Sequence, residues 1–172
     1  MTTSLTWGQA DTVFIKYNKD KFEEKPNYKT DTVIFDTPNA SQILYGTTVL
    51  PWTSSQQNAK NFGILLQTIT TTDCKQSGKP TANEVVSILE TDTTLKIEIK
   101  IWGNCCHSFL GDLEIVEDSI VNIKYYGYGA TYCSCDCCYG MTYNFEKWKF
   151  EEYKFLKSVM VNGDRRTIKK LK

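Results

Sequence analysis

The eight residues LKIEIKIW, Leu95 to Trp102, restrict the fold more than any other stretch of the chain. Leu95, Ile97, Ile99 and Ile101 fall on one side of an extended backbone, and Lys96, Glu98, Lys100 and Trp102 fall on the other. A helix would scatter the isoleucines around its circumference, whereas a strand gathers them on one face. One face therefore belongs to a core and the other is mostly wet.

The same alternation recurs in DTVIFDT (Asp31 to Thr37), FGILLQTIT (Phe62 to Thr70), NEVVSILET (Asn83 to Thr91), GDLEIVE (Gly111 to Glu117) and SIVNIKYYGYG (Ser119 to Gly129). These runs are rich in β-branched and aromatic residues and are bounded by breakers: TPNAS, QSGKPTAN, EDS and NGD. Asn162-Gly163-Asp164 reads as a hairpin between YKFLKSVMV and RRTIKKL. A helical turn is expected only at SSQQNAKNF, Ser54 to Phe62. The fold class is all-β, a single antiparallel β-sandwich or Greek-key barrel-like domain over residues 1–172. Residues 1–30, with the charged NKDKFEEKPNYKT, read as an irregular extension or an edge strand. A chain of 172 residues buries roughly 70% of its unfolded surface in one core, so covalent staples are optional.

Lys+Arg and Asp+Glu each number 20, a balance that argues against nucleic acid as a partner. The basic DRRTIKKLK at the end reads as a solvated strand. No apolar run approaches the ~18 residues of a membrane helix, and the first residues lack the basic-then-apolar order of a signal peptide.

Four of the seven cysteines lie in YCSCDCCYGMTYNF, Tyr132 to Phe145. If this is a strand, Cys133, Cys135 and Cys137 share a face with sulfurs about 7 Å apart, and Cys138 points the other way. That spacing is too long for neighbours to bond to one another, so their partners come from elsewhere. Cys105 and Cys106, in WGNCCHSF just past a strand end, are placed to meet them, since a disulfide needs Cα atoms roughly 4.4–6.8 Å apart. The rival is a zinc site of four thiolates, or three thiolates and one imidazole, drawn from Cys105, Cys106, His107, Cys135 and Cys138. Against it, adjacent ligands such as Cys105 and Cys106 do not easily reach one tetrahedral ion. Free buried thiols are a third reading. Seven is odd, so one cysteine at least is unpaired within the chain, and Cys74 and Cys138 are the candidates.

Redox catalysis by a dithiol would need a C-x-x-C at a helix start in a βαβ setting, which is missing here. His107 is the only histidine, and no Ser/His/Asp set, zincin helix or dinucleotide fingerprint is present. The chain reads as a non-enzyme with no resident cofactor, zinc being the alternative. Tyr126, Tyr128 and Tyr139 belong to the most aromatic part of the chain. They form either an exposed platform for a sugar or a protein, or core and cross-strand pairs, the plainer reading. Gly127 and Gly129 fit a bulge or tight bend.

The Asn104-Cys105-Cys106 corner, the Gly-Tyr-Gly before C-x-C-x-C-C with its aromatic-Gly-hydrophobic-Thr-Tyr continuation, and the closing Asn-Gly turn before a basic strand carry a resemblance. In these features the second half of the chain resembles a group of small, uncharacterised, cysteine-containing proteins of Bacteroidetes, many of them lipoprotein-like or exported. The resemblance implies the periplasm or cell surface, after removal of a leader, and strengthens the disulfide reading. It brings no activity and no catalytic residues. The expectation is a non-catalytic cell-envelope module for an unknown protein or glycan, in which Cys105, Cys106, Cys133, Cys135 and Cys137 brace the corner against the cluster strand.

Overall fold

The computed structural model describes residues 11–14, 32–35, 53–74, 82–128 and 133–171. Strands β1 (Asp11–Phe14) and β2 (Thr32–Phe35) form an antiparallel pair. Helix α1 (Ser54–Asn61) follows, then β3 (Ile64–Thr71), β4 (Glu84–Glu90), β5 (Thr94–Asn104), β6 (Ser108–Val116), β7 (Ile120–Tyr128), β8 (Asp136–Lys147), the single turn α2 (Phe150–Tyr153), β9 (Ser158–Val161) and β10 (Asp164–Lys170). Two four-stranded sheets, β3-β8-β5-β4 and β10-β9-β7-β6, pack into a β-sandwich.

The alternation places the core as expected. Leu95, Ile97, Ile99 and Ile101 of β5 and Tyr139, Met141, Tyr143 and Phe145 of β8 are buried against Phe109, Leu113, Val121, Ile123, Val159 and Val161 of the other sheet. The first sheet is antiparallel throughout. The second departs from the expected purely antiparallel arrangement, because β7 and β9 pair in parallel. Between them the chain crosses into the first sheet as β8 and returns through α2, and a crossover of this kind brings a strand back in the same direction. The β9–β10 hairpin turns at Asn162 and Gly163, both at positive φ. Of residues 1–30, only β1 lies among the described residues.

Helix α1, two turns where the sequence predicts one, leans on β3 and β6. The Thr53 hydroxyl accepts from Gln56 N and donates to Asp112 Oδ1 on β6 at 3.0 Å. Gln56 Nε2 and Leu113 N donate to the same oxygen. Burial holds the Asp112 carboxyl above the usual carboxylate range, although these donors and Lys124 oppose the shift.

At the far end of β8 the core stripe closes on Lys147, whose side chain is only 3% exposed. Its ammonium meets Glu90 Oε1 and Thr91 O, both at 2.7 Å, and lies over the Tyr153 ring. Burial, with Glu90 nearby, pushes the Tyr153 phenol well up.

The folded chain holds the Asp112 proton more tightly than the unfolded chain does. Its contribution to stability is therefore complete below the unfolded value, about 3.9, and is lost as pH rises through the higher folded value. Asp112→Asn keeps an acceptor and cannot ionise, so it loses less stability than the parent as pH rises from about 4 in urea titrations. Matching pH profiles would refute the raised value. Lys147→Met leaves the Glu90 carboxylate without its cation and lowers stability by about 3 kcal/mol, read from the urea midpoint.

Candidate functional site

The cysteine-bearing corner is built on the pairing of β5 with β8. Their register runs from Thr94 opposite Glu146 to Asn104 opposite Asp136, and so delivers the end of β5 beside the segment that enters β8. Past Asn104 the chain turns: His107 N donates to Asn104 O at 3.0 Å, and β6 begins at Ser108. Cys105 and Cys106 occupy this turn.

Cys133 and Cys135 precede β8 in a non-strand segment. The expectation that Cys133, Cys135 and Cys137 share one strand face holds only for Cys137, because the strand starts at Asp136. Asn104, only 3% exposed, holds the segment. Its Nδ2 donates to Cys133 O at 2.6 Å and to Cys135 O at 2.9 Å, and its Oδ1 accepts from Cys106 N and Cys133 N. Cys105 N also donates to Cys135 O, and the Tyr139 hydroxyl donates to Asn104 O. A buried amide with both ends engaged is an expensive group to remove, since each stranded partner loses its own hydrogen bond.

On this frame Cys105 bonds to Cys135 and Cys106 to Cys133, each pair with Cα atoms 5.7 Å apart. Cys137 does not join the corner. It faces the core and bonds to Cys74, at a Cα separation of 5.4 Å. This corrects the expectation that Cys74 is a free thiol. The physical reason is that the chain leaving β3 keeps running beside β8: Thr72 N donates to Gly140 O and Gly140 N to the Thr72 hydroxyl, which carries Cys74 to the level of Cys137. Cys138 is the free cysteine among the described residues, and it is buried. By the pleat it lies on the face of β8 opposite Cys137, with Trp102 as its register partner.

The bridges differ in what they contribute. In the chain-entropy picture the Cys74–Cys137 bond, spanning 63 residues, contributes about 4 kcal/mol. The first corner bond to form, spanning 30 or 27 residues, contributes about 3.6 kcal/mol. The second then closes only a small ring and adds about 2 kcal/mol.

The sulfurs of Cys105, Cys106 and Cys133 lie within 4.8 Å of one another, the one such group of metal-capable side chains among the described residues. His107, Cys135 and Cys138, members of the alternative zinc set, fall outside that mutually close group. His107 instead packs toward Gly127, where an added Cβ would stand 3.0 Å from its Nδ1. Gly103 similarly leaves room for Phe109, whose ring meets Tyr139 edge-on at 4.8 Å. At Gly127 the β6–β7 register runs on unbroken, so the glycine serves close side-chain approach and not a bulge. Gly129 lies outside the described residues.

The aromatic platform does not include Tyr139, which is buried in the core. Tyr126 is half-buried, and burial raises its phenol above the usual value. The side chain of Tyr128 lies outside the described residues. Sequence reasoning missed Asn104 as the organiser of the corner. Its one available signal was an amide adjoining two cysteines at the end of an alternating run.

Asn104→Ala is expected to lower stability by about 3 kcal/mol, since it strands Cys133 O and the Cys106 and Cys133 amides, while Cys135 O keeps its bond from Cys105 N. The urea midpoint of the oxidised protein measures this, and an unchanged midpoint would mean that the disulfides alone set the corner. Compared with known proteins, the chain matches no family model, no curated protein and no solved structure.

Proposed function

We propose that this chain is a disulfide-braced, non-catalytic module of the cell envelope, periplasmic or at the cell surface, that presents a rigid β-sandwich to a protein or glycan partner. The observation that carries the reading is the pairing of six cysteines into three bonds. Such bonds persist in oxidising compartments and are rare where thiols are kept reduced. The resemblance of the second half to exported Bacteroidetes proteins supports the same setting. No helix among the described residues is long and apolar enough to cross a membrane.

The rigidity has a use in this reading. A surface that is already ordered loses little conformational entropy when it meets a partner, so its contacts convert more fully into affinity. The corner is held by two disulfides and one buried amide, and it neighbours the half-buried Trp102 and the exposed Ser134 and Asp136.

Intact mass after alkylation in denaturant, with and without prior reduction, tests the reading on protein exported to an oxidising compartment. The expected result is one modified cysteine without reductant and seven with it, the single site being Cys138. Without denaturant that thiol is expected to resist modification, because it is buried. Seven reactive thiols in unreduced protein would overturn the exported, disulfide-braced reading.

A further inference from the structure

The corner has a second capacity that the bracing role does not use. We infer that, when its two disulfides are reduced, the corner is a preorganised thiolate site for a thiophilic divalent cation of the zinc type, with Cys105, Cys106 and Cys133 as the first three ligands and Cys135 as the fourth.

The geometry carries this. Zinc–thiolate bonds of about 2.3 Å in a tetrahedron put the sulfurs about 3.8 Å apart. The Cys105 sulfur already lies within 4.8 Å of the Cys106 and Cys133 sulfurs, and the bonded pairs Cys106–Cys133 and Cys105–Cys135 need only part to the tetrahedral spacing once reduced. The objection that adjacent cysteines do not reach one ion applies to a strand, where neighbouring side chains point apart. Cys105 and Cys106 sit in a turn, where that alternation does not hold. Cys135 is tied to Cys105 in the oxidised protein, and its carbonyl accepts from both Cys105 N and Asn104 Nδ2. Freed of the bond, its sulfur starts beside the Cys105 sulfur.

What keeps the four residues together after reduction is independent of sulfur. Asn104 ties the backbones of Cys106, Cys133 and Cys135, and the β5–β8 register fixes Asn104 itself opposite Asp136. Such an orienting group outside the ligand set raises affinity by holding the ligands where the ion needs them. The chemistry balances: a dithiol or phosphine reductant supplies four electrons and, with four protons, converts the two disulfides to four thiols. The cation then displaces those protons to leave four thiolates, so affinity rises with pH.

The inference stands on the corner's geometry and not on the compartment, so it survives if the chain proves to reside where thiols stay reduced. The alkylation assay addresses the compartment, and metal titration of reduced protein addresses the site.

The test is anaerobic titration of the full chain with Co2+ after phosphine reduction, followed by Zn2+, with circular dichroism at each step. The expected result is one Co2+ per chain, with thiolate charge-transfer and tetrahedral d–d bands that Zn2+ abolishes, and no such bands from the oxidised protein. Cys74→Ser, outside the corner, leaves the bands intact, whereas the Cys106→Ser, Cys133→Ser double variant loses them. Asn104→Ala weakens Zn2+ binding by about 10–100-fold, while Asn104→Asp, which keeps an acceptor for the Cys106 and Cys133 amides, recovers part of the loss. Absence of tetrahedral bands in reduced protein, folded or not, would overturn the inference. So would bands undiminished in the double cysteine variant.

Discussion

The unbroken pairing of β5 with β8 is the constraint on which the rest depends. Eleven consecutive residue pairs, from Thr94 and Glu146 to Asn104 and Asp136, lie at the centre of the first sheet. A slip of one residue would turn Tyr143 and Phe145 of β8 out of the core, a loss that no edge contact offsets. The same register sets Asn104 beside the segment that enters β8. Core burial therefore fixes the corner geometry, and the site inherits its precision from the hydrophobic stripe.

Around that core, the buried polar side chains sit where something other than a strand must be docked. Asp112 seats α1 on the β6 edge. Lys147 ties the β4–β5 turn to α2 through Glu90, Thr91 and the Tyr153 ring. Asn122 accepts from Gly163 N and so fixes the β9–β10 turn, while its own amide donates to Glu114. Asn104 performs the same service for the cysteine segment. Apolar stripes specify which faces meet but are indifferent to where a loop lands. A hydrogen-bonded group with few acceptable partners supplies that information, because leaving it unsatisfied costs more than the bond itself gains.

Legibility from sequence follows the same division. The strands of the sandwich were readable where alternation was uninterrupted, as in Leu95 to Trp102 and Ser119 to Gly129, because period-two burial leaves its mark on residue type. The parallel pairing of β7 with β9 was not readable, since a strand's hydrophobic pattern carries no record of the direction of its neighbour. The approach of Cys105 and Cys106 to Cys133 and Cys135 was legible from their placement at the two ends of a hairpin-like stretch. The Cys74–Cys137 bond was not, because it depends on the β3–β8 pairing carrying past the last residue of β3, where TTDCKQ shows no alternation. His107 looked like a ligand because it is a lone histidine beside two cysteines. Its packing toward Gly127 depends on a cross-strand neighbour twenty residues away in sequence.

The two kinds of disulfide in this chain do different physical work. Cys74–Cys137 closes the longest loop and ties the trailing end of β3 to a core-facing residue, so its principal effect falls on the unfolded ensemble. The corner pair is redundant by the same reasoning: once one of its bonds exists, the other removes little further freedom from the unfolded chain. Its effect is on the native state, where two bonds and the Asn104 hydrogen bonds restrain the same Cys133-to-Cys135 segment. Global stability alone would be better served by a second bridge placed far from the first. The concentration of three restraints on three residues fits a site where the position of the backbone itself is what matters.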